Sequence, residues 1–350
     1  MLGIIMAGGQ GTRLMPLTAT RPKPMVEVLG RPVIDFVKDA MVEAGIDEIV
    51  VTTGYRGEQL DAHVASWNTT DGFRAWVNQE STPMGTAGSV GLLRDRIHGT
   101  FVVGSGDAIA SFDINALLKV HRANKAKVTM ALWQVDDPSE FGIVGLAASV
   151  DGEVNGQLRQ GFIRRFQEKP PREEAFSNVI NAGLYILEPE VFNHIPDGEK
   201  FDFSKQLFPT LLQLGWPLYA STIDGVWFDV GQPAELLKAQ QTLLEQHHQL
   251  PFQLPTNHDV HAGSMVSKHA TIKGDLDRSV VSQGCVIEGG AHVIDSMLME
   301  GVVIGQGSTV VRSVLGKNVQ IQAGCTVEDC VVGDDERLGV NGVYKGQKIP

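Results

Sequence analysis

The last quarter of the chain contains a repeat of 17 residues, and this repeat constrains the fold more than any other feature of the sequence. Each repeat includes a short block of one charged residue, one serine or cysteine, and two apolar residues. The blocks begin at Arg278, Asp295, Arg312 and Asp329, and glycines keep the same interval at Gly290, Gly307 and Gly324. A β-sandwich does not keep such a constant register, whereas stacked repeats do.

Apolar residues inside each repeat follow one another at steps of six, six and five, as in Val281, Ile287, Val293 and Leu298. These steps indicate a triangular coil in which each of three short faces points one side chain inward, with glycines at the tight corners. The pattern predicts a parallel β-helix of hexapeptide repeats and resembles the left-handed type. One coil cannot bury its own core, so the stack needs a cap, and residues 257–277 are predicted to form an imperfect first coil.

The first 235 residues have a different pattern, in which apolar β-branched runs alternate with stretches of helical spacing. Strands are predicted at residues 3–7, 48–52, 101–103 and 128–134, and a helix at 32–44. This alternation predicts an α/β fold, a Rossmann-like and mostly parallel sheet flanked by helices. Ligands of such sheets bind at the carboxyl ends of the strands. Chemistry is therefore expected in the loops that follow Ala7, Thr53 and Val103.

The change of pattern along the chain predicts the domain organisation. Residues 1–235 are expected to form the α/β domain, residues 236–256 a connecting helix and linker, and residues 257–350 the β-helix domain. A chain of 350 residues is long enough for two domains and at least one large core.

Composition and charge exclude several classes of function. The formal net charge of −12 opposes binding to a nucleic acid backbone, which requires a basic face. There is no apolar run of the length that spans a membrane, and the apolar N-terminus lacks the basic region of a signal peptide. The cysteines are Cys285, Cys325 and Cys330, and they have no metal-ligand spacing. We therefore expect a cytoplasmic protein with reduced thiols.

A glycine-rich loop follows the first predicted strand and contains Gly8, Gly9 and Gly11. Such a loop lets backbone N–H groups approach a phosphate chain closely. The dinucleotide-binding fingerprint is not met, because Leu14 stands where a third glycine or alanine is required, and the Gly-Lys-Ser/Thr of a Walker A loop is absent. The loop is instead followed by two cations, Arg13 and Lys23, in a proline-stiffened segment, which suits the charge that develops in phosphoryl or nucleotidyl transfer.

The whole segment reads Gly-Gly-x-Gly-Thr-Arg-Leu-x-Pro-Leu-Thr followed by Pro-Lys-Pro, and it closely resembles the signature of the sugar nucleotidyltransferases, also called NDP-sugar pyrophosphorylases. Further matches to this family follow in its order over residues 1–240. They are the base-reading loop at 85–88, the metal-binding loop at 104–107, the small-residue turn at 141–142, Glu-Lys-Pro at 168–170, the asparagine segment at 181–183 and the second metal-binding segment at 227–231. Several members, among them mannose-1-phosphate guanylyltransferases, carry a β-helix like the one predicted here.

The resemblance implies a role for each matching residue. Arg13 and Lys23 are expected to be the catalytic cations, at the β/γ-phosphates and at the transferred centre respectively. The residues expected to bind the nucleotide are Ala7, Gly8, Gly9, Gly11, Thr12, Glu80, Gly85 and Thr86. Those expected to bind the sugar phosphate are Gly142, Glu168, Lys169 and Asn181. Asp107 and Asp229 are expected to share one Mg²⁺ ion, since this ion needs few carboxylates beside phosphate oxygens and water.

The expected reaction joins an NTP and a sugar 1-phosphate to give an NDP-sugar and pyrophosphate. The pair GTP and mannose 1-phosphate is favoured, because Glu80 in the base-reading loop could accept hydrogen bonds from the N1–H and amine of guanine, which uracil and thymine cannot donate in the same way. UTP or dTTP with glucose 1-phosphate is the alternative.

Two functions of other classes stay open at this stage. A non-catalytic, nucleotide-sugar-binding regulatory subunit would bind the same ligands without turnover, although such proteins usually lose the cations and carboxylates that this chain keeps. An acyltransferase activity of the β-helix would need a catalytic histidine, and His292 lies within a coil, but the repeat has no inserted loop. A structural role is favoured for the β-helix, and the chain is expected to form a homo-oligomer through the β-helix, the catalytic domain or both.

Overall fold

The computed structural model describes residues 1–54, 57–247, 254–261 and 263–350. The chain divides into two compact units. The first consists of Met1–Gly9 and Val37–Trp227, and the second of Gln10–Phe36 and Phe228–Pro350. The predicted linker at 236–256 includes residues 248–253, which lie outside the described residues. The domain boundaries drawn from the sequence stay a prediction.

The first unit is built on a sheet of nine strands. In chain order they are β1 (Leu2–Met6), β2 (Glu48–Thr53), β3 (Arg74–Gln79), β4 (Phe101–Ser105), β5 (Val128–Gln134), β6 (Gly142–Ala147), β7 (Gln160–Glu168), β8 (Val179–Leu187) and β9 (Leu218–Thr222). Their order across the sheet is β3-β2-β1-β4-β8-β5-β9-β7-β6.

The α/β prediction is confirmed, and the sheet is mixed. Strands β3, β2, β1 and β4 are parallel, whereas β8 runs antiparallel to both β4 and β5. The interior strands are continuous apolar runs, as expected for strands that are covered on both faces. Ile4, Phe101, Val103 and Met130 have no exposed surface.

Six α-helices lie among the described residues. They are α1 (Ile34–Glu43), α2 (Gly57–Ala65), α3 (Gly85–Gly91), α4 (Ile114–Ala123), α5 (Phe208–Gln213) and α6 (Pro233–Gln246), with a π-helical turn at Phe203–Leu207 before α5. Helix α4 begins where Asp113 caps it, since the Asp113 carboxylate accepts a hydrogen bond of 2.8 Å from the N–H of Ala116. Among the described residues, no helix is both long and apolar enough to cross a membrane.

The second unit contains a parallel β-helix with three sheets of short strands, one for each face of the coil. Its first face is formed by Ser264–Ser267, Val280–Val281, Met297–Leu298, Val314–Leu315, Val331–Val332 and Lys348–Ile349. The second is formed by Thr271–Ile272, Val286–Ile287, Val303–Ile304, Gln320–Ile321 and Arg337–Leu338. The third is formed by Asp275–Asp277, His292–Ile294, Thr309–Val311, Thr326–Glu328 and Val343–Lys345.

The predicted repeat is confirmed residue by residue. Val281 pairs with Leu298 and Ile287 with Ile304, each 17 positions on, and all four side chains are fully buried. Gly290 has a φ of +71°, in the left-handed region that glycine adopts without cost, as expected of a corner. The first coil departs from the interval of 17 residues. Val266 in this coil pairs with Val281 in the next coil, only 15 positions on. This coil is imperfect, as predicted.

The serine in each block links one coil to the next. The N–H of Ser296 donates to the Oγ of Ser279, that of Ser313 to the Oγ of Ser296, and that of Cys330 to the Oγ of Ser313, each at 3.1 Å. These buried hydroxyls therefore satisfy backbone donors that would otherwise lack a partner at the corner of the coil.

Candidate active site

The signature segment packs tightly on itself within the second unit. Gly11 has a φ of +65°, and a Cβ at this position would lie 2.9 Å from the Cβ of Lys23. The hydroxyl of Thr18 donates to the carbonyl oxygen of Gly11 at 2.8 Å. Gly11 is therefore required both for its backbone conformation and because the Lys23 side chain occupies the space beside it.

The two predicted catalytic cations meet one predicted metal-binding carboxylate. The Nζ of Lys23 lies 3.0 Å from Oδ1 of Asp229, and Nη2 of Arg13 lies 3.9 Å from Oδ2 of the same residue. The Lys23 side chain is 8% exposed, whereas that of Arg13 is 51% exposed. Gly231 leaves room for this cluster, because a Cβ there would lie 3.0 Å from the Arg13 guanidinium. Two cations on one anion leave the cluster with a net positive charge, which suits phosphate oxygens.

At the carboxyl ends of β1 and β4 in the first unit, hydrogen bonds between neighbouring strands hold the loops. The N–H of Ala7 donates to the carbonyl of Thr52 at 2.8 Å, and that of Gly106 donates to the carbonyl of Met6 at 2.9 Å. Asp107 follows directly, and its Oδ1 accepts a hydrogen bond of 2.5 Å from the Ser105 hydroxyl. The structure thus places Ala7 and Asp107 at the same edge of the sheet.

Gly8 and Gly9 have open space beside their backbone. A Cβ at either position would meet no described atom within 4 Å. The packing of the described residues therefore does not require glycine there. Close approach of a ligand to the backbone would require glycine at these positions, in line with the prediction that the loop holds a phosphate chain.

Glu80 ties down the predicted base-reading loop. Its Oε2 accepts a hydrogen bond of 3.1 Å from the N–H of Met84, and its Oε1 accepts one from the hydroxyl of Ser89. Each carboxylate oxygen has two lone-pair sites, so both can accept a second donor. The role of Glu80 in reading guanine stays a prediction.

Gly85 and Thr86 contact the chain near residue 202. Gly85 has a φ of +73°, and a Cβ there would lie 2.6 Å from the carbonyl oxygen of Phe201. The hydroxyl of Thr86 donates to Oδ2 of Asp202 at 2.9 Å and accepts from the N–H of Phe203 at 2.9 Å. The start of α3 is thereby joined to the turn that precedes α5. The predicted nucleotide contacts of Thr12, Gly85 and Thr86 remain predictions.

Glu168 and Gly142 face each other at the end of the sheet. The two residues are partners in the β7–β6 ladder, and a Cβ on Gly142 would lie 2.7 Å from Oε2 of Glu168. Glycine is therefore required at position 142, because the Glu168 carboxylate occupies the space that a side chain would need. Lys169 follows with a φ of +46°, its N–H bonded to the carbonyl of Phe141 at 2.9 Å and its Nζ 3.8 Å from Oε2 of Glu140.

Asn181 belongs to a polar cluster in the first unit. Its Nδ2 donates to the hydroxyl of Tyr185 at 2.7 Å and lies 3.4 Å from Oγ of Ser204, and its Oδ1 accepts from the N–H of Gly183 at 2.9 Å. Burial first, and then the negative charge of Asp202, raise the pKa of the Glu168 carboxyl. Glu168 and Asn181 therefore share a polar environment, as expected of groups that bind sugar hydroxyls.

Sequence reasoning missed Tyr185, Asp202 and Ser204 in this cluster. Asp202 precedes a helical run, and its carboxylate accepts from the N–H groups of Ser204 and Lys205 at 2.9 and 3.0 Å. An aspartate before a helix is a recognisable capping signal, but this signal alone does not indicate a ligand site.

Several characterised proteins are similar to this chain. A mannose-1-phosphate guanyltransferase of Saccharomyces cerevisiae is 36% identical over 240 residues, which cover 68% of this chain and 63% of that protein. Mannose-1-phosphate guanylyltransferase 1 of Arabidopsis thaliana is 30% identical over 301 residues, covering 84% and 80%. A UTP–glucose-1-phosphate uridylyltransferase of Synechocystis is 33% identical over 264 residues, covering 70% and 64%. The match thus spans less than two thirds of the length of the yeast and Synechocystis relatives.

Two family models match different parts of the chain. Residues 261–342 match the GlmU-like C-terminal hexapeptide family, in agreement with the left-handed parallel β-helix. Residues 2–246 match the nucleotidyl transferase family, over well more than half of the chain. Proteins of this type generally use a divalent metal. On the strength of this match, and of the cations and carboxylates that the fold places at its strand ends and signature segment, the chain belongs to the nucleotidyl transferase family.

Proposed function

We propose that the protein transfers a nucleotidyl group from GTP to mannose 1-phosphate, forming GDP-mannose and pyrophosphate. The observation that carries the proposal is the contact of Lys23 and Arg13 with Asp229, which unites three residues that the family signature marks from positions far apart in the chain. The names of the yeast and Arabidopsis relatives support this choice of substrates.

The proposed chemistry is an in-line displacement at the α-phosphorus of the NTP. An oxygen of the sugar phosphate forms the new P–O bond, and the bond from the α-phosphorus to the bridging oxygen of pyrophosphate breaks, with its electron pair leaving on pyrophosphate. The attacking oxygen is already anionic, so no general base is needed. Arg13 and Lys23 act by fixed positive charge at the phosphates, which is the main source of catalysis in such transfers.

The residues proposed to bind Mg²⁺ are Asp107 and Asp229, whose carboxylate oxygens are the ligands that this ion prefers. No group of three or more potential metal-binding side chains lies among the described residues. Mg²⁺ takes one or two carboxylates in such sites and completes its shell with substrate oxygens and water. When bound, the ion would supply further charge neutralisation at the phosphates.

Paired substitutions test the metal assignment. Asp107→Asn and Asp229→Asn should each reduce magnesium-dependent pyrophosphate release by at least a hundredfold, on the order of the loss of one preorganised electrostatic group. Asp113→Asn is the matched control, because asparagine caps a helix as well as aspartate does. Full magnesium-dependent turnover in both of the first two variants would refute the assignment.

For the sugar phosphate, we propose that Lys169 binds the phosphate, and that Glu168 and Asn181 accept or donate hydrogen bonds to the hydroxyls. Glycine at position 142 lets the Glu168 carboxylate lie against the neighbouring strand. The burial of Glu168 supports this role, because a hydrogen bond to a carboxylate is stronger when water is excluded.

For the base, we propose that Glu80 accepts hydrogen bonds from guanine while its contacts with Met84 and Ser89 hold it in place. Glu80→Gln keeps the shape and should lower kcat/KM for GTP about tenfold or more, with little change for UTP. An unchanged preference for GTP would refute this role. UTP or dTTP with glucose 1-phosphate is the second candidate, which the similarity to the Synechocystis uridylyltransferase favours.

A cytoplasmic location and self-association complete the proposal. The three cysteines are buried free thiols, which suits a reducing compartment. Val340 and Val343 on the last coil are 61% and 63% exposed, which supports a contact between copies of the chain. Light scattering tests the second point, and a monomer at all concentrations would contradict it.

A further inference from the structure

Within the second unit, the segment Gln10–Phe36 is anchored to the β-helix by one buried carboxylate. Asp334 follows the strand Val331–Val332 and accepts three donors. The hydroxyl of Thr20 donates to it at 2.5 Å, the guanidinium of Arg21 forms an ion pair with it, and the N–H of Lys317 donates to it at 2.8 Å. The side chains of Arg21 and Asp334 are each only 8% exposed. The pair is therefore largely removed from solvent.

Further contacts join the same two parts. The other guanidinium nitrogen of Arg21 lies 3.0 Å from Sδ of Met299. The Nζ of Lys348, in the last strand, donates to the carbonyl oxygen of Arg13 at 2.9 Å. A Cβ on Gly333 would lie 3.3 Å from the Cβ of Pro16, so the Pro16 ring lies close to the backbone of Gly333. The β-helix thus touches the segment at several points around its two predicted catalytic cations.

The link from Arg21 to Lys23 is short and stiff. Only Pro22 separates them, with its φ fixed at −68°, and Pro24 follows directly. The side chain of Lys23 is then held by Asp229 on one side and by the backbone of Gly11 on the other. A displacement of Arg21 would therefore be transmitted to Lys23 instead of being absorbed by a flexible chain.

The charge state of Asp334 agrees with this role. Burial alone raises the pKa of its carboxyl, but the hydrogen bond from Thr20, the Arg21 guanidinium and the Lys317 amide together hold the pKa below its ordinary value. The carboxylate is thus ionised at neutral pH. Removal of its charge would leave the Arg21 cation buried and uncompensated, which is costly in a protein interior.

We propose that the β-helix positions the two predicted catalytic cations. Asp334 is a positioning residue which, through Arg21, holds Lys23 and Arg13 in the geometry that nucleotidyl transfer requires. The inference rests on the proposed function of these two cations and assigns the repeat domain a part in it. Misplacement of a catalytic group by about 1 Å can cost about a hundredfold in rate, so the anchor matters even though it touches no substrate.

Asp334→Asn removes the charge and keeps the size of the side chain. Asp335→Asn is the matched control, because Asp335 is the next residue, is exposed and bonds Asn318 at 2.9 Å, and asparagine tolerates its left-handed φ of +63°. We expect kcat of Asp334→Asn to fall about tenfold to a hundredfold, with KM for the sugar phosphate changed less than about twofold. The control should match the wild type. An unchanged kcat in Asp334→Asn would overturn the proposal.

The double variant Arg21→Gln/Asp334→Asn separates positioning from simple stabilisation. It leaves no buried unpaired charge, so its unfolding midpoint should recover towards that of the wild type. If Asp334 positions the loop, kcat should stay low. Recovery of kcat together with the midpoint would show that Asp334 serves the stability of the fold alone and would overturn the proposal. Should Asp334→Asn fail to fold, Thr20→Val removes one of its three donors and makes the same comparison.

Amide hydrogen exchange supplies a readout that does not depend on activity. Residues 10–36 should exchange faster in Asp334→Asn than in Asp335→Asn, while the inner coils exchange at the wild-type rate. Equal exchange rates of residues 10–36 in both variants would overturn the proposal that Asp334 anchors this segment. A wild-type protein that releases no pyrophosphate would instead refute the proposed function, and the exchange experiment would still test the anchor by itself.

Discussion

Substitution of Lys23 offers a prediction whose size can be worked out from the structure. Lys23 and Lys273 each form an ion pair of nearly the same length, 3.0 Å to Asp229 and 2.9 Å to Glu288. The Lys23 side chain is 8% exposed and that of Lys273 is 56% exposed. Lys23→Met and Lys273→Met therefore remove the same charge and the same contact from two different environments.

The expected magnitudes differ for stability and for catalysis. An exposed ion pair contributes about 0–1 kcal/mol, so Lys273→Met should change the free energy of unfolding by less than about 1 kcal/mol. Breaking a fully buried pair costs about 3–5 kcal/mol, and the partial exposure of Asp229 reduces this to about 1–3 kcal/mol for Lys23→Met. If Lys23 also neutralises charge in the transition state, kcat should fall by about a hundredfold to a thousandfold.

Pyrophosphate release at saturating GTP and mannose 1-phosphate measures kcat, and denaturant titration of both variants measures stability. We expect a large loss of kcat for Lys23→Met, beyond what unfolding explains, and no loss for Lys273→Met. If the two variants had kcat values within about threefold of each other while both were folded, the electrostatic role of Lys23 would be refuted.

Glu168, Ile304 and Gly85 provide single-residue tests of the pH dependence, the packing of the coils and the base-reading loop. Because burial raises the pKa of Glu168, binding of the sugar phosphate should weaken as the pH falls through a value above the ordinary glutamate pKa. Glu168→Gln should raise KM for the sugar phosphate about tenfold and abolish this weakening at low pH. If the variant and the wild type had the same pH profile of KM, the role of Glu168 would be contradicted. Ile304→Ala should cost about 2–4 kcal/mol in the free energy of unfolding with kcat unchanged; a loss below 1 kcal/mol would mean a loosely packed coil. Gly85→Ala should raise KM for GTP well beyond the effect of Gly72→Ala, since both residues have positive φ but only Gly85 meets a backbone atom, the carbonyl of Phe201 at 2.6 Å; equal effects would argue against a steric cause.

The repeat domain could be predicted from the sequence almost completely. A coil admits one inward side chain on each face, so the identities of Val281, Ile287 and Val293 and their recurrence at a constant interval determine register, burial and corners together. The positions of Ala7 and Asp107 at strand ends could also be predicted from the sequence, because ligand sites of parallel sheets lie at the carboxyl ends of strands.

Side-chain contacts between positions far apart in the chain could not be predicted from the sequence in the same way. Arg21 and Asp334 are 313 positions apart, and neither residue belongs to a periodic pattern that would link them. The sequence therefore contains no indication that residues 10–36 belong to the same compact unit as the β-helix. Asp202 was missed for a related reason, because a helix-capping aspartate looks the same whether or not its neighbours are Thr86 and Glu168.

The central claim is tested most directly by the purified wild-type protein with Mg²⁺ and a grid of five NTPs against mannose, glucose and N-acetylglucosamine 1-phosphates, with pyrophosphate release as the readout. We expect a maximum for GTP with mannose 1-phosphate, and formation of GDP-mannose in an amount equal to that of pyrophosphate. A maximum for UTP or dTTP with glucose 1-phosphate would keep the reaction and replace the substrates. Binding of a nucleotide sugar without pyrophosphate release from any pair would contradict the claim and identify the protein as a non-catalytic member of its family.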